Sequence, residues 1–254
     1  VPFEVRMMDS PAIRLARPTV SDEELAAVAR VFASRHLAQG PEVAALEAEV
    51  STLLEGRRVV SVSSGGAALL AALKVSGVGP GDEVVVPAFT FPAASQATLF
   101  LGASPVPADV DPDSLGVTPA TVAPRLTQRT RAVVVAHAFG IPADVEGVAD
   151  LLAGSDVALV EDAACSIGGH TRSGRPSGTV GRFGCFSLHP RKLATSGEGG
   201  LISCGPQDET AVRSLRDYGR TGSGFGDIFG GVGLNLRMSD VAAAIARVQV
   251  ARLH

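Results

Sequence analysis

Only two of the 22 basic residues are lysines, Lys74 and Lys192; the other 20 are arginines. Arginine stays protonated, whereas a lysine amine can shed its proton and attack a carbonyl carbon. A lysine kept in so arginine-rich a chain is therefore a candidate nucleophile. Lys192 lies between an apolar run, residues 183–188, and a glycine-rich turn, residues 197–200, where backbone can come close to a ligand. A single loop lysine is more often a solvated surface group, so the case rests on what the chain supplies beside it. Ser63-Ser64-Gly65-Gly66 is a small-residue turn between a strand-like run and an apolar helix-like run. Free N–H groups and the helix dipole make such a turn an anion site, although small turns before helices are common. An aromatic-bearing turn ends in Phe91, an apolar run ends in Glu161-Asp162, and Ser187 precedes Lys192 by five residues.

Other titratable groups argue for less. Asp109, Asp111 and Asp113 are spaced like ligands, but acids in this pattern more often make turns and caps. The five histidines are scattered, without an H-x-x-x-H spacing, so no metal is expected. His189 reads as a pocket wall and His137 as a residue ending a strand on the pocket face. Cys165, Cys185 and Cys204 are odd in number and form no C-x-x-C pair. They read as reduced thiols, which points to a cytoplasmic protein.

The elements that must position these groups alternate. Ser21, with Glu24 three residues on, predicts a capped helix whose apolar stripe is Leu25, Val28, Ala29 and Phe32. A second helix is predicted from Pro41 to Leu54, with the proline in its first turn. Strands are predicted at 58–62, 83–87, 105–108, 131–137, 156–160 and 200–204. Helices are predicted at 67–75, 92–101, 144–153, 208–216 and 241–253. This order predicts an α/β fold with a mostly parallel sheet covered on both faces. Ligands in such sheets bind beyond the carboxyl ends of the strands, which selects the turns at 63–66, 89–91, 137–140 and 162–166. Residues 221–234 hold Gly222, Gly224 and Gly226, but with no strand before them and no helix directly after, a dinucleotide fingerprint is not supported.

Totals bound the rest. A chain of 254 residues, 46% hydrophobic and 19% charged, carries a sizeable core and need not divide. Residues 1–20 read as an irregular segment and 21–254 as one large domain. A net charge of −4 gives no reason to expect nucleic acid or an anionic membrane. No membrane span or signal peptide is expected either, since no apolar run approaches 18 residues.

Taken together, the small turn, the aromatic, the acid, the serine and the lysine describe a pocket for pyridoxal 5′-phosphate. Their order and spacing resemble the DegT/DnrJ/StrS family of sugar aminotransferases, within the fold type I pyridoxal phosphate enzymes. The matching segments are 63–68, 79–91, 160–164, 185–192, 197–200 and 235–240, and the resemblance covers roughly residues 20–254. It implies a three-layer α/β/α large domain followed by a small C-terminal domain of roughly a hundred residues, which is expected to be missing from these 254 residues. It also implies that Lys192 is the Schiff-base lysine and Ser187 the phosphate serine. The phosphate turn falls on Gly65, Gly66 and Ala67, the ring-stacking aromatic on Phe91, and the partner of the ring nitrogen on Asp162. Asn235 would reach the phosphate of a neighbouring subunit, which makes the protein a homodimer with shared active sites. The implied reaction is ping-pong transamination of a keto-sugar, nucleotide-linked, with glutamate or a similar amino donor. A cyclitol or other cyclic ketone is the alternative substrate, and an inactive binding or regulatory protein the alternative function. Lys192 argues against the family's dehydratase branch, where histidine replaces the lysine. Two site residues depart from the family: Gly66 stands where threonine is usual, and Cys165 where glutamine or histidine sits near the ring oxygen. A cysteine is the weaker hydrogen-bond partner.

Overall fold

Seven strands form one sheet in the order β1-β7-β6-β5-β4-β2-β3 in the computed structural model, which describes residues 16–222 and 228–253. The strands are β1 (Arg58–Val62), β2 (Glu83–Pro87), β3 (Ser104–Ala108), β4 (Thr130–Ala136), β5 (Ala158–Asp162), β6 (Phe183–Ser187) and β7 (Gly200–Cys204). Only β7 runs antiparallel to its neighbours, β1 and β6. The others share one direction, so their carboxyl ends line one edge of the sheet. The expected mostly parallel sheet is present, with β6 formed by the apolar run before Lys192.

Helices cover both faces because the strands are apolar on both. On one face, Val60, Val84, Val134, Val160 and Ile202 pack under α3 (Gly65–Val75), α4 (Ala93–Phe100) and α7 (Pro206–Arg216). On the other, Val59, Phe186 and Leu201 meet α2 (Pro41–Leu53) and α8 (Asp240–Val250). Val85, Val133, Val135 and Leu159 lie under the short α5 (Pro119–Val122) and α6 (Val145–Leu151) on that same face. The β-branched runs read as buried strands are buried on both sides, as parallel strands require.

The first helix, α1 (Asp22–Ser34), has its capping box but buries a different face from the one expected. Glu24, Ala27 and Val31 are covered, while Leu25 and Phe32 are 67% and 60% exposed. The reason lies in α8. Ala27 and Val31 pack on Ala244, and Gln249 and Arg252 draw Glu24 inward by hydrogen bonds. A small-residue and ion-pair seam therefore outweighs the larger apolar stripe. The end of α8 lies near Val250, earlier than the expected 253. Of the irregular N-terminal segment, residues 1–15 lie outside the described residues, as do Gly224 and Gly226 of the glycine-rich loop.

Asp240 begins α8, yet its carboxylate serves the start of another helix. Ser239 caps α8 by accepting the Ala242 N–H at 3.2 Å. Asp240 is buried and accepts the Gly40 and Val43 amides at 2.8 and 3.1 Å, which closes the start of α2 from across the sheet edge.

Candidate active site

Strand register brings the small turn and the lysine loop together. Gly200 of β7 pairs with Val62 on one side and Ser187 on the other, so the segments leaving β1 and β6 emerge as neighbours. The approach is closest where side chains are missing. A Cβ on Gly200 would lie 2.3 Å from the Ser64 carbonyl oxygen, and one on Gly65 would lie 2.8 Å from Ser187 Cβ. Ser64 caps α3, its Oγ accepting the Ala67 N–H at 3.0 Å. The first-turn amides of Gly65 and Gly66 have no helical acceptor, and they carry the positive end of the helix dipole. Of the three residues expected in the anion turn, Ala67 thus has its amide engaged, while the Gly65 and Gly66 amides donate to no acceptor among the described residues. Ser187 lies beside them, nearly buried, its Oγ accepting the His189 N–H at 3.3 Å.

Asp162 ends β5, paired with Ala136 of β4 and Cys185 of β6. Its Oδ1 accepts the Ala164 N–H at 3.2 Å, and Oδ2 takes no hydrogen bond among the described residues. Burial pushes this carboxyl above the ordinary carboxylate value, opposed by the Ala164 amide and by Lys192 and His137. Lys192 follows β6 in a turn closed by its own N–H on the His189 carbonyl at 2.9 Å. Its Nζ donates to Cys165 Sγ at 3.1 Å and forms no ion pair among the described residues.

Behind Asp162, facing the opposite side of β5, Glu161 is fully buried. Its two oxygens accept the Gly178, Val180 and Gly181 amides at 2.7 to 2.8 Å. His137 completes the set from 3.0 Å, and its other ring nitrogen, Nδ1, accepts the Ala143 N–H at 3.2 Å. That network assigns the hydrogen to Nε2 of the neutral ring. Sequence reasoning placed His137 at the pocket face; the structure ties it instead to the carboxylate that anchors the segment leading into β6. No sequence signal marked Glu161 beyond its place next to Asp162.

Aromatic groups stand at the rim. Phe91, on the turn after β2, is 72% exposed. Phe89 and Phe139 face each other with ring centroids 6.2 Å apart. Phe139 adopts a left-handed backbone, φ 54°, in the turn after β4, a conformation that costs energy for a bulky residue. That strain marks Phe139 as a rim residue that the sequence did not single out. Asn235 is exposed, pairs in a bridge with Asp217, and accepts the Arg237 N–H on its Oδ1.

These groups fit pyridoxal phosphate. The cradle between Gly65 and Ser187 would be filled by any Cβ, the buried Asp162 has a carboxylate oxygen, Oδ2, that takes no hydrogen bond among the described residues, and Lys192 Nζ has only a weak sulfur partner among them. No group of three or more metal-ligating side chains occurs among the described residues.

A model described as the DegT/DnrJ/EryC1/StrS aminotransferase family matches residues 18–254. A UDP-N-acetyl-3-dehydro-alpha-D-glucosamine 3-aminotransferase from Acidithiobacillus ferrooxidans is 36% identical over 234 residues, 91% of this chain and 62% of that protein. The aminotransferase TlmJ from Streptoalloteichus hindustanus superposes with a TM-score of 0.89 at 39% identity, covering 94% of this chain and 66% of its own. A Streptococcus pneumoniae protein solved in its PLP-form gives 0.88 at 27% identity, covering 95% and 67%. The chain thus spans less than two-thirds of the length of the curated relative it matches.

Proposed function

The chain belongs to the DegT/DnrJ/EryC1/StrS aminotransferase family, whose cofactor is pyridoxal phosphate, and from that premise we propose that it transfers an amino group to a nucleotide-linked keto-sugar. The observation that carries this reading is the convergence of the Lys192 amine, the unpaired Asp162 oxygen and the Gly65–Ser187 cradle at one sheet edge. The sugar substrate is supported by the UDP-linked glucosamine in the name of the Acidithiobacillus relative. The amino donor is glutamate or a similar amino acid, and donor and acceptor use the site in turn. Residues 21–254 act as the cofactor-binding large domain, working in the cytoplasm, in keeping with three free cysteines. The exposed Asn235 reaches the phosphate of a second copy in a homodimer with shared sites.

When bound, pyridoxal phosphate supplies an aldehyde that takes up amino nitrogen and a ring that draws electrons from the reacting carbon. The Gly65 and Gly66 amides and Ser187 Oγ would hold the phosphate. Asp162 would hold the hydrogen on the ring nitrogen, and a positive partner there would offset the desolvation that raises this carboxyl. Phe91, at the rim, would stack on the ring. Lys192 would carry the cofactor's aldehyde, and its free amine would serve as general base and then acid for the proton of the donor carbon.

The test is optical. Protein loaded with pyridoxal phosphate is expected to be yellow, and glutamate to bleach it as amino nitrogen is taken up. A colour that persists with every amino donor would point to a binding protein without turnover. Failure to take up the cofactor would sink both readings.

A further inference from the structure

The Lys192 amine meets a thiol where the family usually has glutamine or histidine. Lys192 Nζ donates to Cys165 Sγ at 3.1 Å, and this is the single hydrogen bond of the amine among the described residues. Asp162 influences the same region by charge, but no carboxylate pairs with Nζ there.

The sulfur stands on fixed backbone. The segment leaving β5 is tied to β6 by the Ala163 N–H on the Cys185 carbonyl at 2.9 Å, and it turns back on itself through the Ser166 N–H on the Ala163 carbonyl at 3.0 Å. Asp162 Oδ1 holds the Ala164 amide between them. From the far side, Gly140 comes so close that a Cβ there would lie 3.1 Å from the Cys165 carbonyl oxygen. Gly140 has φ 83°, a conformation that glycine adopts without strain. A residue clamped on both sides is a firm support for a flexible four-carbon side chain.

Sulfur is also a weak acceptor. It can orient the amine without holding it as tightly as a carboxylate would, and it releases the amine when a carbonyl carbon is presented. We propose that Cys165 is a positioning residue for Lys192: its sulfur holds the amine over the pocket whenever that amine carries nothing, and so speeds the capture of an aldehyde. In that capture, Nζ and the aldehyde carbon become doubly bonded, and the aldehyde oxygen leaves as water with both amine hydrogens. The proposal rests on Lys192 being the cofactor-bearing lysine.

The experiment uses the full chain stripped of cofactor, as wild type, Cys165→Ala and Cys165→Ser. Two probes separate orientation from binding. Pyridoxal phosphate reports capture by Lys192 as a rate of colour formation. Pyridoxamine phosphate has the same ring and phosphate but no aldehyde, and it reports the intact pocket by equilibrium titration. The alanine variant is expected to capture pyridoxal phosphate about tenfold more slowly, the scale of one lost hydrogen bond. The serine variant, which keeps an acceptor, is expected to recover most of that rate. Both variants are expected to bind pyridoxamine phosphate within about twofold of wild type, because sulfur is a weak partner for the ring oxygen. Capture by the alanine variant at the wild-type rate would overturn the proposal while leaving Lys192 in its role. A parallel loss of pyridoxamine phosphate binding would overturn it too, by making Cys165 a wall of the pocket. If wild type takes up neither compound, the premise falls and the proposal with it.

Discussion

Gly65 and Ser187 approach so closely that a methyl group on the glycine would sit 2.8 Å from Ser187 Cβ and 3.2 Å from its Oγ. The start of α3 is thereby pressed against the end of β6, and an amide donor and a hydroxyl share one small concavity. Gly65→Ala must therefore move a helix terminus or a strand end. The expected cost is about 2 kcal/mol from overpacking. A loss of pyridoxal phosphate affinity of at least roughly tenfold should accompany it as the donors spread apart. Thermal melting and cofactor titration of the variant check the two effects separately.

Gly66, one residue on, behaves in the opposite way. A Cβ there meets only Ser64 Oγ, at 3.8 Å, and the residue is not held in the left-handed region. Gly66→Ala is expected to stabilise the chain by about 0.5 to 1 kcal/mol through reduced backbone freedom. Gly66→Thr should in addition tighten cofactor binding by a few-fold, roughly 1 kcal/mol for one added hydrogen bond. Denaturant midpoints and cofactor titration read these effects. A Gly66→Ala chain less stable than wild type would show that the open space beside α3 is closed in solution.

The contrast between these glycines shows what was legible beforehand. Strands and their order in the chain were readable because parallel strands buried on both faces leave unbroken β-branched runs, as in residues 83–87 and 131–135. The anion turn, Asp162, Ser187 and Lys192 could be singled out because the chemistry proposed for them depends on residue type at short spacing, and the fold places all four at the same edge of the sheet. What escaped depends on distant partners. Nothing near Glu161 in the chain announces that its acceptors serve amides at 178–181, and nothing near Asp240 announces that it caps α2. The α1 face was misread for the same reason: periodicity ranks residues by apolarity, while the partner surface on α8 is small and ionic.

Glu161 therefore offers a test of how the site is supported from behind. Its carboxylate accepts three backbone amides and the His137 ring in a fully buried setting. Glu161→Gln replaces one acceptor oxygen with an NH2 group that must face an N–H donor. The expected cost is at least about 2 kcal/mol, for a charge-assisted bond lost and a donor left unsatisfied. The denaturant midpoint should fall, and Glu161→Ala should lower it further. A Gln variant as stable as wild type would mean that water replaces the lost acceptor.

Glu24 predicts how the α1–α8 seam responds to acid. Burial alone would raise its carboxyl, but hydrogen bonds from the Ser21 hydroxyl and amide and from Gln249 outweigh it and bring it from 4.5 down to about 2. Arg252 adds a hydrogen bond at 2.8 Å. Because the folded value lies below the unfolded one, Glu24 binds fewer protons in the folded chain than in the unfolded chain across this range. The contribution is fully present above pH 4.5. It declines as the pH falls from 4.5 toward 2 and is gone below that. Stability measured by denaturant at successive pH values should therefore fall through this window in wild type. Glu24→Gln should be less stable than wild type at pH 7 and show a shallower fall, so that the two curves converge near pH 2. Curves that stay parallel down to pH 2 would show that Glu24 does not carry the acid sensitivity of this seam.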